Sequence, residues 1–275
     1  MKVFILMLLL ALPCGAFAQL PTSGLVAWYP FCGNANDYSG NGYNLTDSGA
    51  ILTTDRFGSA NCAYYFNGID NELYLNSILP LPSSDFTMSF WLVADTIQDA
   101  EVVYNGNTNI DGVGIIYDNG AFLPGYNVTM LEEYICDCIT VYEPLRQWHH
   151  VVLRCSAGSF NLIIDTVLVG TITSPFNPPT GKFAVGMDYS NGTNPFSGKI
   201  DDIAIYSRAL SDSEIRQLYY YDPTCTVVSL IACDSISLPD TLHACSEIPV
   251  TLPARGKGFF TQKIFTRGGM DSLMA

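Results

Sequence analysis

From Gly24 to Tyr206 the chain reads as short alternating runs separated by turns. Phe86, Met88, Phe90 and Leu92 alternate with Thr87, Ser89, Trp91 and Val93, the two-residue period of a sheet strand with one well-buried face. Val113–Tyr117, Trp148–Cys155, Lys182–Met187 and Ile200–Tyr206 are further predicted strands. Phe160–Asp165 followed by Val167–Thr171 predicts a hairpin. Asp118-Asn119-Gly120, Ser156-Ala157-Gly158 and Pro178-Pro179-Thr180-Gly181 are the turns between them. Helical periodicity is almost absent. One helix is expected after Ser211, where Ser211 and Glu214 have the spacing of a capping box and Ile215 and Leu218 would face the sheet. Many short strands with Gly/Pro turns predict an all-β sandwich or jelly roll.

The ends of the chain break this pattern. Lys2, the apolar run Val3–Leu12 and Ala16-Phe17-Ala18 have the form of a signal peptide over residues 1–18, with a mature start at Gln19. That run is shorter than the roughly 20 residues needed to span a bilayer, so the chain is not expected to be membrane-spanning. Composition shifts near Asp222-Pro223. Residues 19–222 form the predicted β domain, 223–254 the Cys-containing start of an incomplete second module, and 255–275 a basic tail expected to be disordered, native or the product of a frameshift or truncation.

Charge and cysteine content narrow the function classes. The net charge is −14, and residues 19–254 hold 25 of the 26 acids but 7 of the 12 Lys and Arg. Such a surface disfavours nucleic acid as a partner. Nine cysteines, one within the signal, leave an even number in an exported chain, where disulfides are expected. Cys32 is expected to pair with Cys62 because both flank one loop region. Cys155 is expected to pair with one of Cys136 and Cys138, with Cys138 preferred. His149 and His150 are strand neighbours, one expected to be packed and the other exposed, so they would not share a metal.

Candidate chemistry begins in LVAWYPFCGNANDYSGNGYN, residues 25–44, a strand that runs into an Asn/Gly loop with one carboxylate, Asp37. Asn and Gly accept positive φ, and a carboxylate beside turned-in carbonyls suits a hard cation. The alternative is an Asx cap that accepts backbone N–H groups. By alternation Asp201 shares a face with Ile203 and Ile205, which would point it inward and demand a partner.

Taken in order, GLVAWYPFCGNANDYSGNG, LTTDRFGSANCAYYFNGIDNELYL, FTMSFWL, QWHHVVL and SGKIDDIAIYSRALSDSEI resemble the laminin G-like domains of the concanavalin A-like lectin/glucanase superfamily, in the type found in exported bacterial proteins and related to pentraxins. The resemblance covers about Gly24–Tyr220. It implies a two-sheet antiparallel jelly roll and a structural calcium ion held by Asp37, the Gly68 carbonyl, Asp70 and Asp201, with Asn71 standing where a second acid is frequent. Relatives that hydrolyse glucans carry E-x-D-x-x-E in one strand, and no such pattern occurs here. The expectation is therefore a secreted or cell-surface, non-catalytic module. Its partner would be a glycan or an extracellular surface protein, with Tyr117, Phe122, Tyr126, Tyr134 and Tyr189 as possible sugar plates and the ligand site itself unassigned. A glycoside hydrolase with an unrecognised site, or a spacer in a larger surface adhesin, are the alternatives.

Overall fold

In the computed structural model the described residues are 19–251, apart from 83, 98, 108–110, 119–120, 128–131, 135–144, 174–177, 188–191, 224, 226 and 233–245. The chain divides into two compact units, with the boundary between Cys225 and Thr226.

The first unit is the sandwich. Its strands are β1 (Leu25–Tyr29), β2 (Thr46–Ser48), β3 (Ile51–Thr53), β4 (Ala63–Asn67), β5 (Glu72–Tyr74), β6 (Asp85–Ala94), β7 (Ala100–Asn107), β8 (Asp111–Asp118), β9 (Ala121–Asn127), β10 (Glu132–Tyr134), β11 (His149–Ser156), β12 (Ser159–Ile164), β13 (Val167–Thr173), β14 (Phe183–Val185) and β15 (Ser197–Tyr206). One sheet runs β13-β12-β11-β6-β15-β4-β3 with β1 also on β15, and the other runs β10-β9-β8-β7-β14-β5-β2. Every strand pairing in both sheets is antiparallel. The second unit contains the hairpin β16 (Val227–Ala232) and β17 (Ser246–Thr251).

The inner faces form one apolar core that includes Tyr29, Phe31, Phe66, Phe86, Phe90, Phe160 and Phe183. Tyr117 lies in this core at 1% exposure, so it is no sugar plate. The side chains of Phe122, Tyr126, Tyr134 and Tyr189 lie outside the described residues. The larger sheet also buries its outer face, because the helix α1 (Asp212–Tyr220) lies against it. Trp28, Val152, Ile163, Ala204, Tyr206, Leu210, Ile215 and Leu218 make a second cluster there. Hence β6 is buried on both faces rather than one; Thr87, Ser89 and Trp91 are as covered as Phe86 and Phe90. α1 starts with the expected reciprocal cap between Ser211 and Glu214. Arg208 reaches Glu214 as well, and that contact with the cap holds the Glu214 carboxyl down to about 2.

The cysteine expectations are corrected. Cys32 is bonded to Cys225, not to Cys62. Cys62 is a buried free thiol, its Sγ 3.3 Å from the Ala60 carbonyl; burial beside acidic groups pushes it up to about 12. Cys155 is also free: β11 turns it into the core, where its Sγ meets the Ser84 carbonyl. Cys138 lies outside the described residues. The bond that does form joins positions 193 residues apart and closes a ring of nearly the whole sandwich.

Candidate functional site

The residues expected to share one cation have three different sets of partners. Asp37 is a cap. Its Oδ1 accepts the N–H groups of Trp28 at 3.0 Å and Ser39 at 2.7 Å; its Oδ2 accepts the Tyr43 N–H at 3.0 Å and lies 2.8 Å from Ser39 Oγ. Asn41 Nδ2 donates to the Val26 carbonyl and Asn44 Oδ1 accepts the Asp37 N–H, so the loop is laced onto β1 by its own amides. A carboxylate that accepts several N–H groups has its lone pairs committed.

Asp70 belongs to a second turn. Asn67 Oδ1 accepts the N–H groups of Ile69 and Asp70, and Asn67 Nδ2 donates to Asp70 Oδ1 at 2.8 Å. Gly68 sits there at φ +71° with Ser197 against it; a Cβ would come within 2.8 Å of the Ser197 Cβ. That is the need for glycine at this position. Asn71 Oδ1 accepts the Asn67 N–H, a role an amide fills without a cation.

Asp201 does need a cation, and the cation is Arg56. β15 pairs with β4 through Ile200 and with β1 from Ile203, and the change of neighbour coincides with a bulge between Asp201 and Ala204. Asp202 takes the bulge conformation at φ +49°. The extra residue turns Asp201 over. It stands opposite Trp91 on the outer face, while Ile200, Ile203 and Ile205 face the core. Simple alternation therefore misplaces it. Arg56 Nη1 contacts Asp201 Oδ2 at 3.4 Å and bonds Asp202 Oδ2, and Arg56 Nη2 bonds the Tyr221 carbonyl. The guanidinium carbon lies 4.5 Å from the Trp91 ring centroid and 4.4 Å from that of Phe57. These side chains are 6%, 1% and 9% exposed for Arg56, Asp201 and Asp202. One guanidinium between two buried acids leaves excess negative charge. Burial and the neighbouring acid hold Asp201 above the usual carboxylate range, and burial raises Asp202 to about 6 despite Arg56.

Among the described residues no three His, Cys, Asp or Glu side chains form a group able to hold a metal. With Asp37 saturated by N–H donors and Asp201 clasped by Arg56, the residues do not fit the expected calcium ligand set.

Both histidines are buried, correcting the expectation of one exposed ring. They belong to a hairpin device. Asp165 and Thr166 turn β12 into β13 at φ +48° and +71° without a glycine. Asp165 bridges back, accepting the His150 N–H at 2.9 Å and meeting His149 Nδ1 at 2.8 Å. Burial raises the Asp165 carboxyl, but these contacts outweigh it and the net shift is downward. His150 Nε2 lies 2.8 Å from Ser89 Oγ, and burial, reinforced by Arg56, drives its imidazole down to about 3.

The outer face of the seven-stranded sheet differs in character. Leu73, Val103, Val113 and Val185 face the core, so the alternate positions face away from it. Thr46, Tyr74, Ala184 and Tyr104 follow one another across β2, β5, β14 and β7 in register. Lys182 Nζ lies 5.6 Å from the half-buried Tyr74 ring and 3.4 Å from Asn76 Oδ1. Burial raises the Glu72 carboxyl, with the Lys182 charge opposing. Here an aromatic ring, an amide and a carboxylate gather around one ammonium, beside Ala184 and Tyr104, which are buried. Tyr74 did not stand out in the sequence; the register that sets it beside Lys182 spans more than a hundred residues.

The fold is shared widely. The chain is similar to domain 4 of an extracellular arabinanase of Geobacillus stearothermophilus in complex with arabinotriose, with TM-score 0.61 and 19% identity over 71% of this chain and 98% of that one. It is also similar to the binding domain of Paraclostridial Mosquitocidal Protein 1 (TM-score 0.59, 18% identity, 72% of this chain and 52% of that one). A third likeness is to Trypanosoma rangeli sialidase in complex with sialic acid (TM-score 0.56, 19% identity, 74% of this chain and 34% of that one). The chain thus spans about half of the toxin domain and a third of the sialidase. No curated protein matches it. Among the described residues no helix is long and apolar enough to cross a membrane. A profile of the laminin G-like group, described as the concanavalin A-like lectin/glucanases superfamily, matches residues 67–216, more than half of the chain. The match, the two antiparallel sheets and the capped helix agree, and the chain belongs to this superfamily.

Proposed function

We propose that the sandwich is a non-catalytic carbohydrate-recognition module of an exported protein. The observation that carries this reading is the likeness to an arabinanase domain in complex with arabinotriose, which covers 98% of that domain's length. The outer face of the seven-stranded sheet supplies suitable groups. Tyr74 offers an aromatic surface, and Asn76, Glu72 and Lys182 offer donors and acceptors for hydroxyl groups. Hydrolysis is not part of the proposal. The adjacent acids Asp201 and Asp202 are covered and clasped by Arg56, so they cannot flank a glycosidic bond. The test is a glycan array on the chain from Gln19, followed by titration of the best sugar against Tyr74→Ala. Sugar binding reduced at least tenfold in the variant, with melting unchanged, is the expected result. No binding to any glycan, with capture of a surface protein instead, would overturn the carbohydrate reading.

A further inference from the structure

The outer face of the larger sheet contains polar atoms that the recognition reading leaves unused. Trp91, His150 and Asp202 are 7%, 1% and 9% exposed. In each, one buried polar atom has no hydrogen-bond partner in the protein: Trp91 Nε1, His150 Nδ1 and Asp202 Oδ1. Buried polar atoms are nearly always paired, and an unpaired one costs about 1–3 kcal/mol. The three residues line one small cavity under α1, together with Leu20, Trp28, Ser89, Ala204, Leu218 and Tyr221. Its volume of about 10 Å³ matches the lower limit for a single water.

We propose that this cavity is a binding site for one ordered water molecule, held by Trp91 Nε1, His150 Nδ1 and Asp202 Oδ1. The donor and acceptor pattern selects water. The indole N–H can only donate and the carboxylate oxygen can only accept. A water accepts the first and donates to the second, and its remaining valences serve His150 Nδ1 in either imidazole tautomer. A metal cation is opposed by the indole N–H and by Arg56 beside the acids. An anion is opposed by Asp201 and Asp202. Three protein partners is the usual number for a buried water. The Ser89–His150 contact and the Arg56 clasp hold the lining side chains in place.

The site is tested in solution on ¹⁵N-labelled protein from Gln19. The Trp91 indole signal is assigned by its loss in Trp91→Phe, and water-selective cross-relaxation is then measured on the unaltered chain. A cross-peak between the Trp91 indole N–H and water, with slow exchange of that proton, is expected. A protected indole proton with no such cross-peak would overturn the site, as would rapid exchange with bulk solvent. A crystal structure gives the independent check. One peak within about 2.7–3.2 Å of all three atoms supports the proposal. An empty cavity, or a water that touches none of them, refutes it.

Discussion

Asp37 and Asp202 flank the same strand pair, β1 and β15, and they are held by unlike means. Asp37 answers to donors within nine residues of itself in sequence: the Trp28, Ser39 and Tyr43 N–H groups. Asp202 and Asp201 answer to Arg56, about 145 residues away. The first arrangement forms as its loop forms. The second exists only once β15, the Asp55–Gly58 turn and the segment after α1 have met. A local cap adds to one turn; a long-range clasp ties several segments into one cooperative unit.

That contrast can be broken experimentally. Arg56→Met keeps an apolar stem against Trp91 but leaves two buried acids without a cation, and a loss of roughly 3–5 kcal/mol is expected in urea unfolding. A loss below about 1 kcal/mol would show that the acids are hydrated and that the clasp carries little. Asp37→Ala removes one acceptor from several backbone donors and should cost about 1–3 kcal/mol. If it costs as much as Arg56→Met, the loop is more than a local cap.

The pH response sharpens the comparison further. Asp202 is raised to about 6 in the folded protein. The folded state therefore binds this proton more tightly than the unfolded chain, so its contribution is greatest below about pH 4 and is lost as pH rises through 6. His150 runs the other way. Its imidazole is driven down to about 3, so its contribution is present above about pH 6.5 and is lost on acidification. The two slopes are separated by substitution. Asp202→Asn should cost less at pH 7 than at pH 5, and His150→Gln should cost more at pH 7 than at pH 5, both read from urea midpoints. Equal costs at both pH values would mean that these groups titrate alike in the folded and unfolded chain. The smallest expected effect is that of EDTA. With Asp37, Asp70 and Asp201 bonded to separate protein partners, chelation should leave the melting temperature unchanged. A fall of several degrees, reversed by calcium, would restore the ion expected from the resemblance.

What the sequence disclosed follows the same division by range. The alternation of Phe86 to Val93, the Ser211–Glu214 cap and the acceptor role of Asp37, the alternative to the expected calcium ligand, all depend on neighbours in the chain. Their physics is contained in windows of a few residues. The bulge at Asp202 is different: one added residue flips the face of Asp201, and nothing in Ile-Asp-Asp-Ile-Ala-Ile marks where it falls. Arg56 carried no signal either, since an Arg beside Phe57 in a turn is unremarkable until β15 is placed. The Cys32–Cys225 pairing failed for the same reason. Proximity in sequence favoured Cys62, but Cys62, just ahead of β4, is buried against its own turn.

The Cys32–Cys225 bond has a mechanical consequence. Tension applied between residue 19 and the chain beyond Thr226 would load β1, which precedes Cys32, but bypass β2 to β15, running from Cys32 to Cys225 through a covalent link. The strands between them would bear no load. In single-molecule pulling the oxidised chain should release only its flanks and β1, whereas reduction should add the length of 193 residues, about 650 Å at full extension. A module shackled in this way can transmit pulling force along a longer chain while β2 to β15 stay unloaded inside the closed ring.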